Sequence, residues 1–172
     1  MKRVIGSLVI IGLISIVIWF LTITNYDVKY DGAPLNIAVL GDSPEIQNGK
    51  IHFESITLEK LSENTQDISA NFNAIMITPN VFESASDDRF VDTYKGLEIP
   101  IVFFDSAYTH KPFVYEGTTY ESSFESVKNG SHTTIYLHNN NTNKADAWYF
   151  YLDNPRDLDE LYTDVFKKIE EL

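Results

Sequence analysis

"LNIAVLGDS", residues 35–43, is the stretch that decides the fold: six residues with one polar interruption, stopped by Gly-Asp-Ser. An apolar run of this length without strict alternation reads as a strand buried on both faces, the kind found in a parallel sheet covered by helices. "KIHFESI" (50–56), "NAIMIT" (73–78) and "IPIVFF" (99–104) repeat the type. Between them "TLEKLSENTQDI" (57–68) places Leu58, Leu61, Thr65 and Ile68 along one helical side. "SDDRFVDTYKG" (86–96) predicts another helix, with Ser86 as its N-cap, acids in its first turn and Gly96 at its close. Strand, helix, strand in this rhythm implies right-handed crossovers.

The last third changes style. "HTTIYLHNN" (132–140) and "AWYFYLD" (147–153) alternate and flank an Asn-rich patch, "NNNTN" at 139–143, which predicts a hairpin with a polar tip. One face of it would carry Ile135, Leu137, Trp148, Phe150 and Leu152, the other Tyr136, His138, Tyr149 and Tyr151. The polar-aromatic face reads either as a binding platform, as a face under the C-terminal helix, or as a wet sheet face. That helix, "NPRDLDELYTDVFKKIEEL" (154–172), has Asn154 as cap, Pro155 in its first turn, and Leu158, Leu161, Tyr162, Val165, Phe166, Ile169 and Leu172 on one side. The fold class is therefore α/β: a three-layer sandwich with a mostly parallel sheet, an antiparallel C-terminal hairpin and a C-terminal amphipathic helix.

An N-terminal transmembrane helix is expected in front of it. Val4 to Ile23 is a run of twenty residues without a charge. As a helix rising about 1.5 Å per residue it would span about 30 Å, the thickness of a bilayer's hydrocarbon core. Lys2 and Arg3 precede it, so the N-terminus stays in the cytoplasm and the rest lies outside. The run is longer than the roughly 7–15 residues of a cleavable signal, and no alanine precedes Ala33, which favours a retained signal-anchor. Trp19 suits its outer interface. The expected organisation is an anchor over 1–24, a polar linker over 25–34 and one extracytoplasmic domain over 35–172, in a single-pass protein of the cell membrane.

Charge and cysteine narrow the partners. Of 13 basic and 25 acidic residues only Lys2 and Arg3 lie before the anchor, leaving 11 against 25, a net of about −14 outside. Such a field repels nucleic acid and phosphate ligands. The chain has no cysteine, which fits a bacterial envelope better than a disulfide-stapled ectodomain. Asn129-Gly-Ser and Asn140-Asn-Thr match the glycosylation acceptor pattern by chance on that reading.

In an open α/β sheet, ligands bind outside the carboxyl ends of the parallel strands. Asp42 and Ser43, Thr78 and Asn80, and Asp105 and Ser106 follow three strand ends and are the crevice candidates. The same residue types also close turns. The Gly-Asp-Ser stretch resembles the first block of the GDSL/SGNH esterase family over about eight residues. That resemblance implies a serine nucleophile at Ser43, an oxyanion-hole glycine, a Gly-x-Asn-Asp asparagine and a late Asp-x-x-His. The last three have no counterpart here, and Pro44 follows the serine. A triad of Ser43, Asp105 and His110 is permitted only by geometry. No histidine pair has ligand spacing, since His132 and His138 stand roughly 20 Å apart along one strand at about 3.3 Å per residue, and no metal or cofactor is expected. No phosphate-binding glycine pattern occurs. The leading expectation is a non-catalytic binding or interaction module of a bacterial cell envelope, meeting an envelope protein or a small-molecule ligand. The alternative is an esterase-like envelope hydrolase with its site around Ser43, Asp105 and His110.

Overall fold

The computed structural model describes residues 26–123 and 129–172. The expected transmembrane helix lies outside them; among the described residues, no helix is long and apolar enough to cross a membrane.

The chain forms β1 (Tyr26–Asp27), β2 (Leu35–Leu40), β3 (Ile46–Gln47), β4 (Ile51–Ile56), α1 (Leu58–Glu63), α2 (Thr65–Asn71) and β5 (Ala74–Ile77). There follow α3 (Phe82–Ala85), α4 (Val91–Gly96), β6 (Ile101–Phe103), α5 (Lys111–Val114), β7 (Thr133–Asn139), β8 (Lys144–Phe150) and α6 (Leu158–Glu171). Six strands make a mixed sheet in the order β4-β2-β5-β6-β7-β8. The first four are parallel, and β7 and β8 run antiparallel to their neighbours. The architecture is α/β, with an antiparallel hairpin and a C-terminal helix.

Both sheet faces are covered, which is why the strand sequences are apolar without alternation. In β2, Ala38 and Leu40 face a core with Leu61, Ile68, Phe82, Phe90, Tyr94 and Phe113, supplied by the helical segments between β4 and β7. Leu35, Ile37 and Val39 face the other core, with Leu161, Val165, Phe166 and Ile169 of α6. The α6 stripe is buried as expected over Leu161–Ile169, whereas Leu172 at its end is 43 % exposed.

Local chemistry redraws three expected elements. The helix over 57–68 begins with Thr57 as N-cap, its Oγ1 accepting from Lys60 N at 3.1 Å, but breaks at Asn64. Asn64 donates to the Lys60 carbonyl through both its backbone N and its side-chain Nδ2, and its φ of −132° leaves the helical range. A side chain competing for a backbone acceptor in this way ends a helix. Ser86 is not an N-cap: it closes α3, donating from Oγ to Glu83 O at 2.9 Å, and Asp87 caps the following turn by accepting from Arg89 N. A 3₁₀ turn, Pro155–Asp157, stands ahead of α6, so the α-helix proper starts at Leu158.

The expected linker is the largest difference. Val28 and Tyr30 are 2 % and 3 % exposed and pack with α6 against the sheet. Tyr30 stands edge-on to Phe166 and donates its hydroxyl to Ala33 O at 2.7 Å and to Glu170 Oε2 at 3.0 Å. Burial and the Glu170 carboxylate together push the Tyr30 phenol up to about 12. Two apolar residues spaced for one strand face outweigh the polar composition around them.

Candidate functional site

The strand order reverses between β2 and β5, where a ligand crevice would open. Here that point is filled. Gly41 turns out of β2 with φ +99°, and a Cβ on it would lie 2.3 Å from both Thr78 Oγ1 and Asn80 Oδ1. Thr78 donates its hydroxyl to Leu40 O at 3.1 Å, and it also lies 3.0 Å from Asn80 Oδ1. Asn80 Oδ1 accepts from Asp42 N at 3.2 Å. Thr78 and Asn80 thus close the turn that carries Asp42 and Ser43, both of which remain exposed.

Beyond β6, Asp105 holds a left-handed backbone, φ +53°. Ser106 N donates to His132 O at 2.9 Å, stitching this turn to the start of β7. The buried Ser106 hydroxyl donates to Tyr108 O at 2.6 Å and sits 3.2 Å from Tyr108 N. The antiparallel return of β7 brings His132 Nε2 to 3.4 Å from Asp105 Oδ1. The other ring nitrogen, Nδ1, lies 2.9 Å from Thr133 Oγ1. Burial lowers the His132 pKa below the ordinary histidine value, and Asp105 opposes that shift. Ser106, Tyr120, Ser131, His132 and Leu152 line a shallow depression of about 360 Å³ beside the pair.

His110 lies elsewhere. It precedes α5 and stacks on Tyr136, ring centroids 5.0 Å apart, with Tyr149 at 6.3 Å. Tyr136 pairs with Ile101, four residues back along the chain from Asp105. His110 is 8 % exposed, its Nδ1 has no hydrogen-bond partner among the described residues, and burial lowers its pKa to about 4, with Lys111 adding to the effect. Among the described residues no hydrogen bond or ion pair joins Ser43, Asp105 and His110; the imidazole that meets Asp105 is that of His132.

The hairpin faces separate as their alternation predicts, Ile135 opposite Trp148 and Thr134 opposite Tyr149. α6 covers the Ile135–Trp148 face, not the polar-aromatic one. His110 packs on the polar-aromatic face, leaving Tyr149 and Tyr151 37 % and 54 % exposed near Tyr115 at 59 %. No cluster of three or more metal-type ligands occurs among the described residues.

Sequence reasoning passed over His132 as a partner for Asp105. The available signal was topological: in a strand antiparallel to β6, the residue just before its start must neighbour the residue just past the end of β6. No family model, no curated protein and no solved structure matches the chain.

Proposed function

We propose that this chain is a single-pass protein of a bacterial cell envelope, anchored through residues 4–23, whose α/β domain lies outside the cytoplasm as a non-catalytic binding or interaction module. The observation that carries this reading is that polar side chains at the sheet's carboxyl edge are spent on closing turns. Thr78, Asn80 and Ser106 are hydrogen-bonded within the turn segments, and His110 is stacked beneath tyrosines. A serine nucleophile needs a base within about 2.6–3.2 Å and donors for an oxyanion. Ser43 has neither among the bonds of its turn. The net charge supports a partner other than nucleic acid.

A hydrolase remains the second reading because Asp105 and His132 meet at the same edge. It is the weaker one: the ring's Nδ1 lies against Thr133, whose side chain is fully buried, and the Asp105 contact is long at 3.4 Å. Treatment of the purified full-length protein with a serine-reactive fluorophosphonate separates the two. No labelling is expected; labelling abolished by Ser43→Ala would make the hydrolase the leading reading. Protease added to intact cells or spheroplasts should digest the domain and leave a small embedded stub, whereas protection of the whole chain would refute the outward orientation.

A further inference from the structure

Asparagine precedes glycine at two places in the chain, Asn48-Gly49 and Asn129-Gly130. Such a step invites attack of the glycine amide nitrogen on the asparagine Cγ, because glycine puts no Cβ in the way and its backbone turns freely. Beyond the chain neighbours, neither glycine has a heavy atom within 4 Å of where its Cβ would lie. Open space therefore does not separate the two sites, but hydrogen bonds do. Asn48 is half-buried; its Nδ2 donates to Val28 O at 2.7 Å and Tyr30 O at 2.8 Å, and its Oδ1 accepts from Lys50 N at 2.9 Å. Asn129 is exposed, and no hydrogen bond of its Nδ2 occurs among the described residues. Its Oδ1 instead accepts twice from one residue, from Ser131 N at 3.0 Å and from Ser131 Oγ at 2.6 Å. Ser131 is itself buried, and its Oγ lies 3.4 Å from the hydroxyl of the fully buried Thr134.

We propose that Asn129 is a site of spontaneous deamidation, activated by Ser131, and that the fold protects Asn48 from the same reaction. The Gly130 amide nitrogen, after giving its proton to hydroxide, attacks Asn129 Cγ. The new C–N bond drives the carbonyl electron pair onto Oδ1, where the two Ser131 donors meet the growing charge as an oxyanion hole does. When that pair returns, the Cγ–Nδ2 bond breaks and the nitrogen leaves as ammonia, taking a proton from water. Water then opens the resulting succinimide at either carbonyl, giving aspartate or isoaspartate. Water is consumed and ammonia released, and nothing is oxidised or reduced. At Asn48 the oxygen has one donor in place of two, and the nitrogen that must leave is held by two carbonyls. Turning Asn48 Cγ toward Gly49 would break its bonds to Val28 and Tyr30, which are packed against α6. Gly130, Ser131 and His132 line the depression beside Asp105, so either product at Asn129 brings a new carboxylate to the turn that enters it.

The two asparagines are each other's control. The purified full-length protein is incubated at neutral to mildly alkaline pH, in buffer and in urea, then digested. Peptide masses report amide-to-acid conversion, and enzymatic methyl transfer reports isoaspartate. In buffer Asn129 should convert several-fold faster than Asn48, and faster still as the pH rises, since the attacking nitrogen must lose its proton. In urea the two rates should converge, because only native hydrogen bonds distinguish the sites. Ser131→Ala removes the hydroxyl donor and should slow Asn129 several-fold in buffer while leaving its rate in urea near that of wild type. Slow conversion of Asn48 in the same digest shows that the variant is folded. Equal rates at the two asparagines in buffer, or an unchanged Asn129 rate in folded Ser131→Ala, would overturn the proposal. If the variant unfolds, the wild-type contrast decides alone: a ratio of the two rates that is the same in buffer and in urea overturns it.

Discussion

Acidification should destabilise this domain through His110, by an amount that follows from its surroundings. The residue is 8 % exposed, stacked on Tyr136 and lowered to a pKa of about 4, chiefly by burial. The same side chain in the unfolded chain titrates near 6.5. A lowered pKa on a base means that the native state refuses a proton the unfolded state accepts. Its contribution is whole above about pH 6.5, falls as the pH drops toward about 4, and levels off below. Between pH 7.5 and 4.5 the two values give a loss of about 2.5 kcal/mol, and closer to 2 with residual solvent screening. Carboxylates titrate in the same interval, so wild type alone cannot isolate the term. His110→Phe keeps an aromatic ring against Tyr136 and Tyr149 and removes the titration and the unpartnered Nδ1. Urea unfolding of residues 26–172 at several pH values should show the variant gaining about 2 kcal/mol relative to wild type on acidification. Parallel stability–pH curves for the two proteins, or a native His110 titrating near 6.5 by NMR, would refute the reasoning.

The remaining predictions concern the frame. Gly41→Ala meets both a positive φ and two oxygens at 2.3 Å, and should cost about 1–3 kcal/mol in thermal or urea unfolding; a neutral outcome would mean the Gly41–Asn80 turn is looser than described. A fragment beginning at Leu35 loses the burial of Val28 and Tyr30, each worth roughly 1.5–3 kcal/mol, so it should melt well below one beginning at Tyr26. Equal midpoints would make residues 26–34 an appendage. Truncation after Asp153 removes the buried Leu161, Tyr162, Val165, Phe166 and Ile169, which at roughly 1.5–3 kcal/mol each approach or exceed the typical total of about 5–15 kcal/mol. That fragment should show no cooperative transition, and a sharp melt would count against the helix as a structural element.

The sheet was legible because burial on two faces imposes a composition. A strand that must satisfy two cores has no polar side to display, and "LNIAVL", "AIMI" and "IVF" show it. The hairpin was legible for the opposite reason, since its outer strand β8 is only partly covered and so alternates. The breaks were less readable. Whether Asn64 continues a helix or turns its amide onto Lys60 O depends on one competing hydrogen bond. The packing of Val28 and Tyr30 was hidden by composition: they sit among Asp27, Lys29 and Asp31, and two apolar residues are too few to announce a strand. What identifies them as core is α6, with Phe166 and Glu170 more than 130 residues away receiving the Tyr30 ring and hydroxyl.

The position of the candidate residues at strand ends was legible, but the bonds they make were not. Asp42, Thr78 and Asp105 all follow strand ends, and parallel pairing sets those ends along one edge. Yet Asp, Asn, Ser and Thr are chosen equally for closing turns and for holding ligands, since both uses need a short side chain with a hydrogen-bonding tip. Only the partners decide, and partners are a property of topology. Asp105 is five residues from His110 and 27 from His132, so proximity in sequence favours a histidine other than the one Asp105 contacts. The intervening chain instead carries His110 back over the sheet onto Tyr136, while β7 starts at the edge where β6 stops. Had β7 been parallel, its first residue would lie at the amino edge and Asp105 would face no imidazole from that strand. The direction of one return strand, more than the identity of any residue, selects the histidine that Asp105 meets.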